Sequence, residues 1–222
     1  MLQSQFVDRH AASQHLEVIR TLMERSAIYR RALAPIMLML GGLGIAAGLA
    51  GYFLNVFERA PFAFFWMAVG GSGLAGAYLQ MRLQAVKEHE PFWSPPTKRV
   101  TQALAPALFV GAVFGLAAAQ SPLVKWLAPP RLLVGEPVWW LPPAWMLLYG
   151  CAVHAAGFFM PRGFKLFGWA FIIAGCFVWL VLSRLDHVSL RWAHLLMGVV
   201  FGASHLAYGI YLAITEKDGV EA

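Results

Sequence analysis

Three histidines, His154, His194 and His205, interrupt long apolar stretches, and Cys151 stands one helical turn before His154. Imidazole nitrogens and thiolates are ligands for zinc, copper and haem iron. His194 and His205 are 11 residues apart. On one helix that spacing gives nearly the same face but about 16 Å of separation, too far to share an ion. His154 and His205 each fall roughly halfway along their own apolar run, and can meet across helices with Ser204 beside His205. They are the candidate metal or haem ligands. A catalytic zinc site, however, commonly has three protein ligands, often with a carboxylate among them, and no acid lies at that depth. The competing reading is a neutral histidine bonded to a Ser, a Tyr or a backbone carbonyl of a neighbouring helix. The expectation is therefore no cofactor, with a metal or haem at His154 and His205 as the alternative.

Other catalytic patterns do not occur: there is no Walker loop, HExxH, CxxC or G-x-S-x-G. Asp186 and His187 are adjacent in the run Arg184 to Ser189. Neighbouring residues of one short loop point in different directions, so this is read as a solvated loop rather than a triad. No catalytic residue is nominated.

The elements that must position these groups are outlined by charge. Hydrophobic residues make up 59% of the chain and charged residues 13%, against about 45–50% and about 25% in soluble domains. That excludes disorder. The net charge of +6 is scattered, not clustered, so no nucleic-acid partner is expected. All the charges lie outside six runs: Ala32–Phe57, Ala60–Met81, Val100–Val124, Pro137–Pro161, Leu166–Ser183 and Trp192–Thr215. About 20 helical residues cross about 30 Å of hydrocarbon. A β-barrel would show short alternating segments instead. The expected fold is all-α: a polytopic six-transmembrane-helix bundle with an N-terminal cytoplasmic amphipathic helix. The expected organisation is a cytoplasmic amphipathic segment over 1–31, a transmembrane domain over 32–215 and a cytoplasmic tail over 216–222.

With the N-terminus inside, 12 Lys and Arg lie on the inner side and 5 on the outer. The excess of basic residues marks the cytoplasmic side, so both termini are expected there. The first apolar run is too long for a signal-peptide core and reads as a retained anchor. Cys151 and Cys176 both lie in apolar runs and are expected to be free, buried thiols, with one cross-helix bridge as the alternative.

In the N-terminal segment Leu16, Ile19, Leu22, Met23 and Ala27 recur at helical spacing, with Glu17, Arg20, Glu24 and Arg25 on the other side. Such a helix is marginal alone and needs a surface. That surface is the membrane interface, a twin helix in a homo-oligomer, or a partner protein. Leu16, Ile19, Leu22 and Met23 are the candidate partner-binding residues. Gly44-x-x-x-Gly48 and the cluster Gly70, Gly71, Gly73 and Gly76 mark contact faces, because helices in lipid associate by close packing of small residues. A weak repeat aligns Ala32-Leu-Ala-Pro35 with Ala103-Leu-Ala-Pro106, each read as opening a span. Duplication and convergence on common residues are both open.

Several stretches carry a resemblance together: His15-Leu-Glu-Val-Ile-Arg-Thr-Leu-Met-Glu-Arg25, Glu90-Pro-Phe-Trp-Ser-Pro-Pro96, Gly150-Cys-Ala-Val-His-Ala-Ala-Gly157 with Met160-Pro-Arg-Gly163, and Phe201-Gly-Ala-Ser-His-Leu-Ala-Tyr-Gly209. Over nearly its full length the chain resembles a group of functionally uncharacterised six-helix bacterial inner-membrane proteins. Their genes often lie beside winged-helix transcriptional regulators. The resemblance implies a bacterial inner (cytoplasmic) membrane and a regulatory link to a cytoplasmic partner, and transfers no functional residue.

The leading expectation is a non-enzymatic membrane protein, sensory, regulatory or accessory, docking a partner through its N-terminal helix. The alternatives are a small transporter or channel for a neutral solute, and a His-ligated metal or haem subunit. The apolar runs hold no Asp, Glu, Lys or Arg, which counts against charge-driven transport.

Overall fold

The computed structural model describes residues 33–89, 91–119, 138–160, 162–185 and 189–218, and every regular element among them is helical. The expected N-terminal helix with Leu16, Ile19, Leu22 and Met23, the Asp186-His187 pair and residues 219–222 lie outside the described residues. In chain order the elements are α1 (Leu33–Phe53), α2 (Arg59–Lys87), α3 (Pro95–Ala118), α4 (Leu141–Ala156), α5 (Arg162–Leu182) and α6. The last is continuous through α-helical Leu190–Met197, π-helical Gly198–Ala203 and α-helical Ser204–Asp218.

Five of these, all but α4, are long and apolar enough to cross a bilayer. This is a helical, multi-pass membrane protein. The run Pro137–Pro161 forms a helix of only 16 residues, preceded by a 3-10 turn at Val138–Trp140. At 1.5 Å per residue that is about 24 Å, less than the hydrocarbon thickness. Pro142 and Pro143 set its start, where a missing N–H costs nothing. Most of α4 is buried, including Leu141, Met146, Gly150 and Val153, and it packs against α3, α5 and α6.

Local signals place the other ends. Pro95 and Pro96 open α3, and the Ser189 hydroxyl accepts the Arg191 N–H at the start of α6. The α1–α2 turn passes through Asn55 at φ 57°, a left-handed conformation that Asn tolerates. The charged stretch from Arg82 to Arg99, between the second and third apolar runs, is mostly helix, since α2 runs to Lys87 and α3 begins at Pro95. Pro106 therefore lies inside α3 and does not open a span. Membrane helices tolerate such a proline because neighbours satisfy the freed carbonyl.

Two apolar layers fill the bundle. Phe62, Trp66, Leu141 and Met197 sit at the end where α2, α4 and α6 begin. Met37, Met146, Phe164, Phe167 and Phe171 fill the opposite half, and Phe201 packs against both layers.

A close backbone contact joins α1 to α6. A Cβ at Gly44 would stand 2.7 Å from the Gly202 Cα, and one at Gly48 would stand 2.7 Å from the Gly198 Cα. Gly41 meets Leu206, and Gly209 meets Leu38. The two helices are antiparallel, with backbones touching along a glycine seam that crosses the π segment. The Gly44–Gly48 face thus meets another helix of the same chain. The second glycine cluster divides: Gly73 and Gly76 receive Leu40 and Met39 of α1, whereas Gly70 and Gly71 face open space.

Cys151 and Cys176 are free but exposed on the bundle surface, a correction to the expectation of burial. An apolar run does not tell a lipid-facing position from a protein-facing one, because both favour apolar residues. The outward faces of α5 bear this out, with Leu166, Ile173, Phe177 and Leu180 all exposed.

Candidate functional site: two buried histidines

The described core contains three buried polar side chains, Thr97, His194 and His205. The histidines are the chemical candidates. Each sits in one of the two apolar layers, and each is held by an aromatic partner from another helix.

His194 follows the first turn of α6 and is fully buried. The Trp66 indole N–H on α2 donates to its Nδ1 at 3.1 Å. An indole nitrogen only donates, so Nδ1 is the acceptor. The proton is then on Nε2, which donates to the Val56 carbonyl at 2.8 Å in the α1–α2 connection. Phe62 and Phe65 meet the ring edge-on at 4.8 and 5.5 Å between centroids. Its face lies on Gly51 of α1 so closely that a Cβ there would overlap the imidazole. One neutral ring therefore ties together α1, α2, their connection and α6.

His205 is 3% exposed and stands two residues past the π segment. Its Nδ1 lies 2.5 Å from the Phe201 carbonyl one turn back. A carbonyl only accepts, so Nδ1 carries the proton. Nε2 then accepts the Tyr149 hydroxyl proton of α4 at 2.6 Å. Phe167 and Phe171 of α5 close the cage at 5.1 and 5.6 Å. Single-turn π segments recur at functional positions in other proteins. Here the π segment precedes an imidazole with both nitrogens engaged.

His154 has a different setting. It occupies the last turn of α4, half-buried, with Nδ1 3.5 Å from the Lys165 carbonyl and its ring between Phe158 and Trp169. The described partners of His154 and His205 do not overlap. A metal at His205 Nε2 would have to displace the Tyr149 hydroxyl. Among the described residues no group of three or more His, Cys, Asp or Glu is gathered as a metal site. Cys151, one turn from His154, points to the surface.

Trp66 and Tyr149 are the partners that single-chain reasoning did not identify. That each imidazole would find a partner is legible from the cost of leaving a polar group unbonded in lipid, and the Tyr149 hydroxyl is of the expected class, whereas the Trp66 indole N–H is not. The identity of the partners is not legible, since Trp66 lies 128 residues from His194 and Tyr149 lies 56 from His205.

Tyr208 completes the aromatic stack. Its ring lies parallel to Phe167 at 4.7 Å, and its hydroxyl is buried with no hydrogen-bond partner among the described residues. Removing an orphaned hydroxyl is neutral or favourable, whereas removing a bonded one leaves its partner unsatisfied. Tyr208→Phe is expected to hold or raise the thermal midpoint in detergent, and Tyr149→Phe to lower stability by about 1–3 kcal/mol. Equal losses from the two changes would refute the contrast.

The fold and its two bonded histidines define the class: a multi-pass helical membrane protein with two neutral, internally bonded imidazoles in its core. Beyond that class no family model, no curated protein and no solved structure matches the chain.

Proposed function

We propose that this chain is a non-enzymatic membrane module, sensory, regulatory or accessory, that crosses the bacterial inner membrane six times with both termini in the cytoplasm. It docks a partner through the helix bearing Leu16, Ile19, Leu22 and Met23. The reading of six crossings counts α4 as a short crossing inside the bundle. The observation that carries the functional reading is that both deeply buried histidines have both ring nitrogens engaged within the chain. A carrier for a neutral solute would want an open polar cavity near midplane, lined by His154, Ser204 or His205. At that level His205 is bonded to Tyr149 and closed over by Phe167 and Phe171. The bundle then serves as an anchor, and the amphipathic face is left as the interacting surface.

The test is cross-linking and co-purification from native membranes. The intact chain, a chain lacking residues 1–28 and a full-length Ile19→Asp variant are compared, with partners identified by mass spectrometry. A partner present with the intact chain and lost from both variants supports docking. Identical partner sets in all three overturn it.

A further inference from the structure

The line along which α6 meets α1 advances by four residues at each step. His194 lies against Gly51, Gly198 against Gly48, Gly202 against Gly44 and Leu206 against Gly41. A regular α-helix does not keep such a line. At about 3.6 residues per turn each step of four overshoots by about 40°, so Leu206 would stand about 120° round the helix from His194. His205 would take its place on α1, because a spacing of 11 residues returns it to within about 20° of His194. The structure shows otherwise. The described hydrogen-bond and ring partners of His205 are Tyr149 of α4, Phe167 and Phe171 of α5, and Phe201 of its own helix.

The difference is one residue. Gly198–Ala203 is π-helical, and an i→i+5 turn takes in about one residue more than an α turn. That residue withdraws about 100° of rotation from everything after it. Leu206 returns to within about 20° of the His194 line, and His205 stands about 80° to one side. The segment has no room to close into an α-helix with its residues unchanged. Phe201, two turns from His194, would then come to within about 20° of the line. There the two backbones already touch, since a Cβ at Gly44 would stand 2.7 Å from the Gly202 Cα. No space is left for a phenyl ring.

We propose that the π segment is a fixed one-residue insertion that sets the rotation of α6. It keeps Gly198 and Gly202 on α1 and turns His205 to Tyr149. The seam locks it, so it is a positioning element and not a hinge. This role does not depend on the partner-docking reading.

Two single-residue deletions in the full-length protein test it. Val199 lies inside the π segment and Ala207 in the α-helical part beyond it. Both are exposed, so neither deletion removes a core side chain. Without Val199 the segment closes into an α-helix while Gly202, His205 and Leu206 keep their facing. That variant is expected to unfold cooperatively, close to or above the wild-type midpoint in the same detergent. Without Ala207, Gly209 leaves Leu38 and Leu212 leaves the core, or the π segment closes to compensate and drives Phe201 against Gly44. A large fall in midpoint is expected by either route. The facing of His205 is read separately from a double-mutant cycle. The coupling between Tyr149→Phe and His205→Phe is expected to persist in the chain lacking Val199. Loss of the fold on deleting Val199, or equal effects of the two deletions, overturns the proposal. So does a folded chain lacking Val199 in which Tyr149 and His205 no longer couple.

Discussion

Gly44→Ala and Gly202→Ala are each expected to destabilise the bundle severely, by about 3 kcal/mol or more. The added methyl at Gly44 would stand 2.7 Å from the Gly202 Cα, and at Gly202 it would press on the Ile45 and Gly44 backbone. Overpacking is tolerated where a flexible side chain can swing aside. Here the obstacle on each side is main chain, and relief requires α1 and α6 to separate along their seam. A control lies two residues away on the same helix. Gly42 is exposed, with nothing within 4 Å of its added Cβ, so Gly42→Ala is expected to be neutral or to stabilise by up to about 1 kcal/mol through helix propensity. Chemical or thermal unfolding in one detergent compares the three variants. The same sign and size for Gly42→Ala and Gly44→Ala would show that the seam is not the tight contact described.

His194→Ala is expected to cost about 3–5 kcal/mol. It leaves the Trp66 indole N–H and the Val56 carbonyl unbonded, and opens a void between Phe62, Phe65 and Gly51. His194→Phe refills most of that void but satisfies neither group, so it separates packing from hydrogen bonding and is expected to recover only part of the loss. Trp66→Phe tests the pair. If the bond from Trp66 to Nδ1 is formed, the double variant His194→Phe with Trp66→Phe costs less than the sum of the two single changes, by about 0.5–3 kcal/mol. Strict additivity, read from unfolding free energies, would mean that the two side chains act independently.

These two predictions differ in how far the sequence foreshadows them. The motif Gly44-x-x-x-Gly48 is visible by inspection, and its role as a contact face follows from how helices associate in lipid. Its partner carries the same spacing, Gly198-x-x-x-Gly202, but the spacing alone does not say that these two motifs face each other within one chain, nor that Gly70 and Gly71 face open space. The histidines are conspicuous in their apolar runs, and a hydrogen-bonded histidine was the simpler reading of both. The metal alternative requires His154 and His205 to meet. The structure instead gives His205 to Tyr149, and His154 to the Lys165 carbonyl. Periodicity could not separate these outcomes, since His154 and Tyr149 share α4 and the rotation of α4 decides which of them faces α6.

The spans themselves were legible because transfer into hydrocarbon is a property that each segment has alone. A run without charge favours lipid whichever neighbours it later finds, so α1, α2, α3, α5 and α6 follow from the sequence. The exposure of Cys151 and Cys176 and the partners of His194 and His205 were decided only in the tertiary structure. Lipid solvates an outward apolar face as readily as protein covers an inward one, so hydropathy carries no record of helix rotation. Rotation is set by backbone contact at the glycine seam, and by the need of each buried N–H and ring nitrogen for a partner where there is no water. Both are relations between residues far apart in the chain.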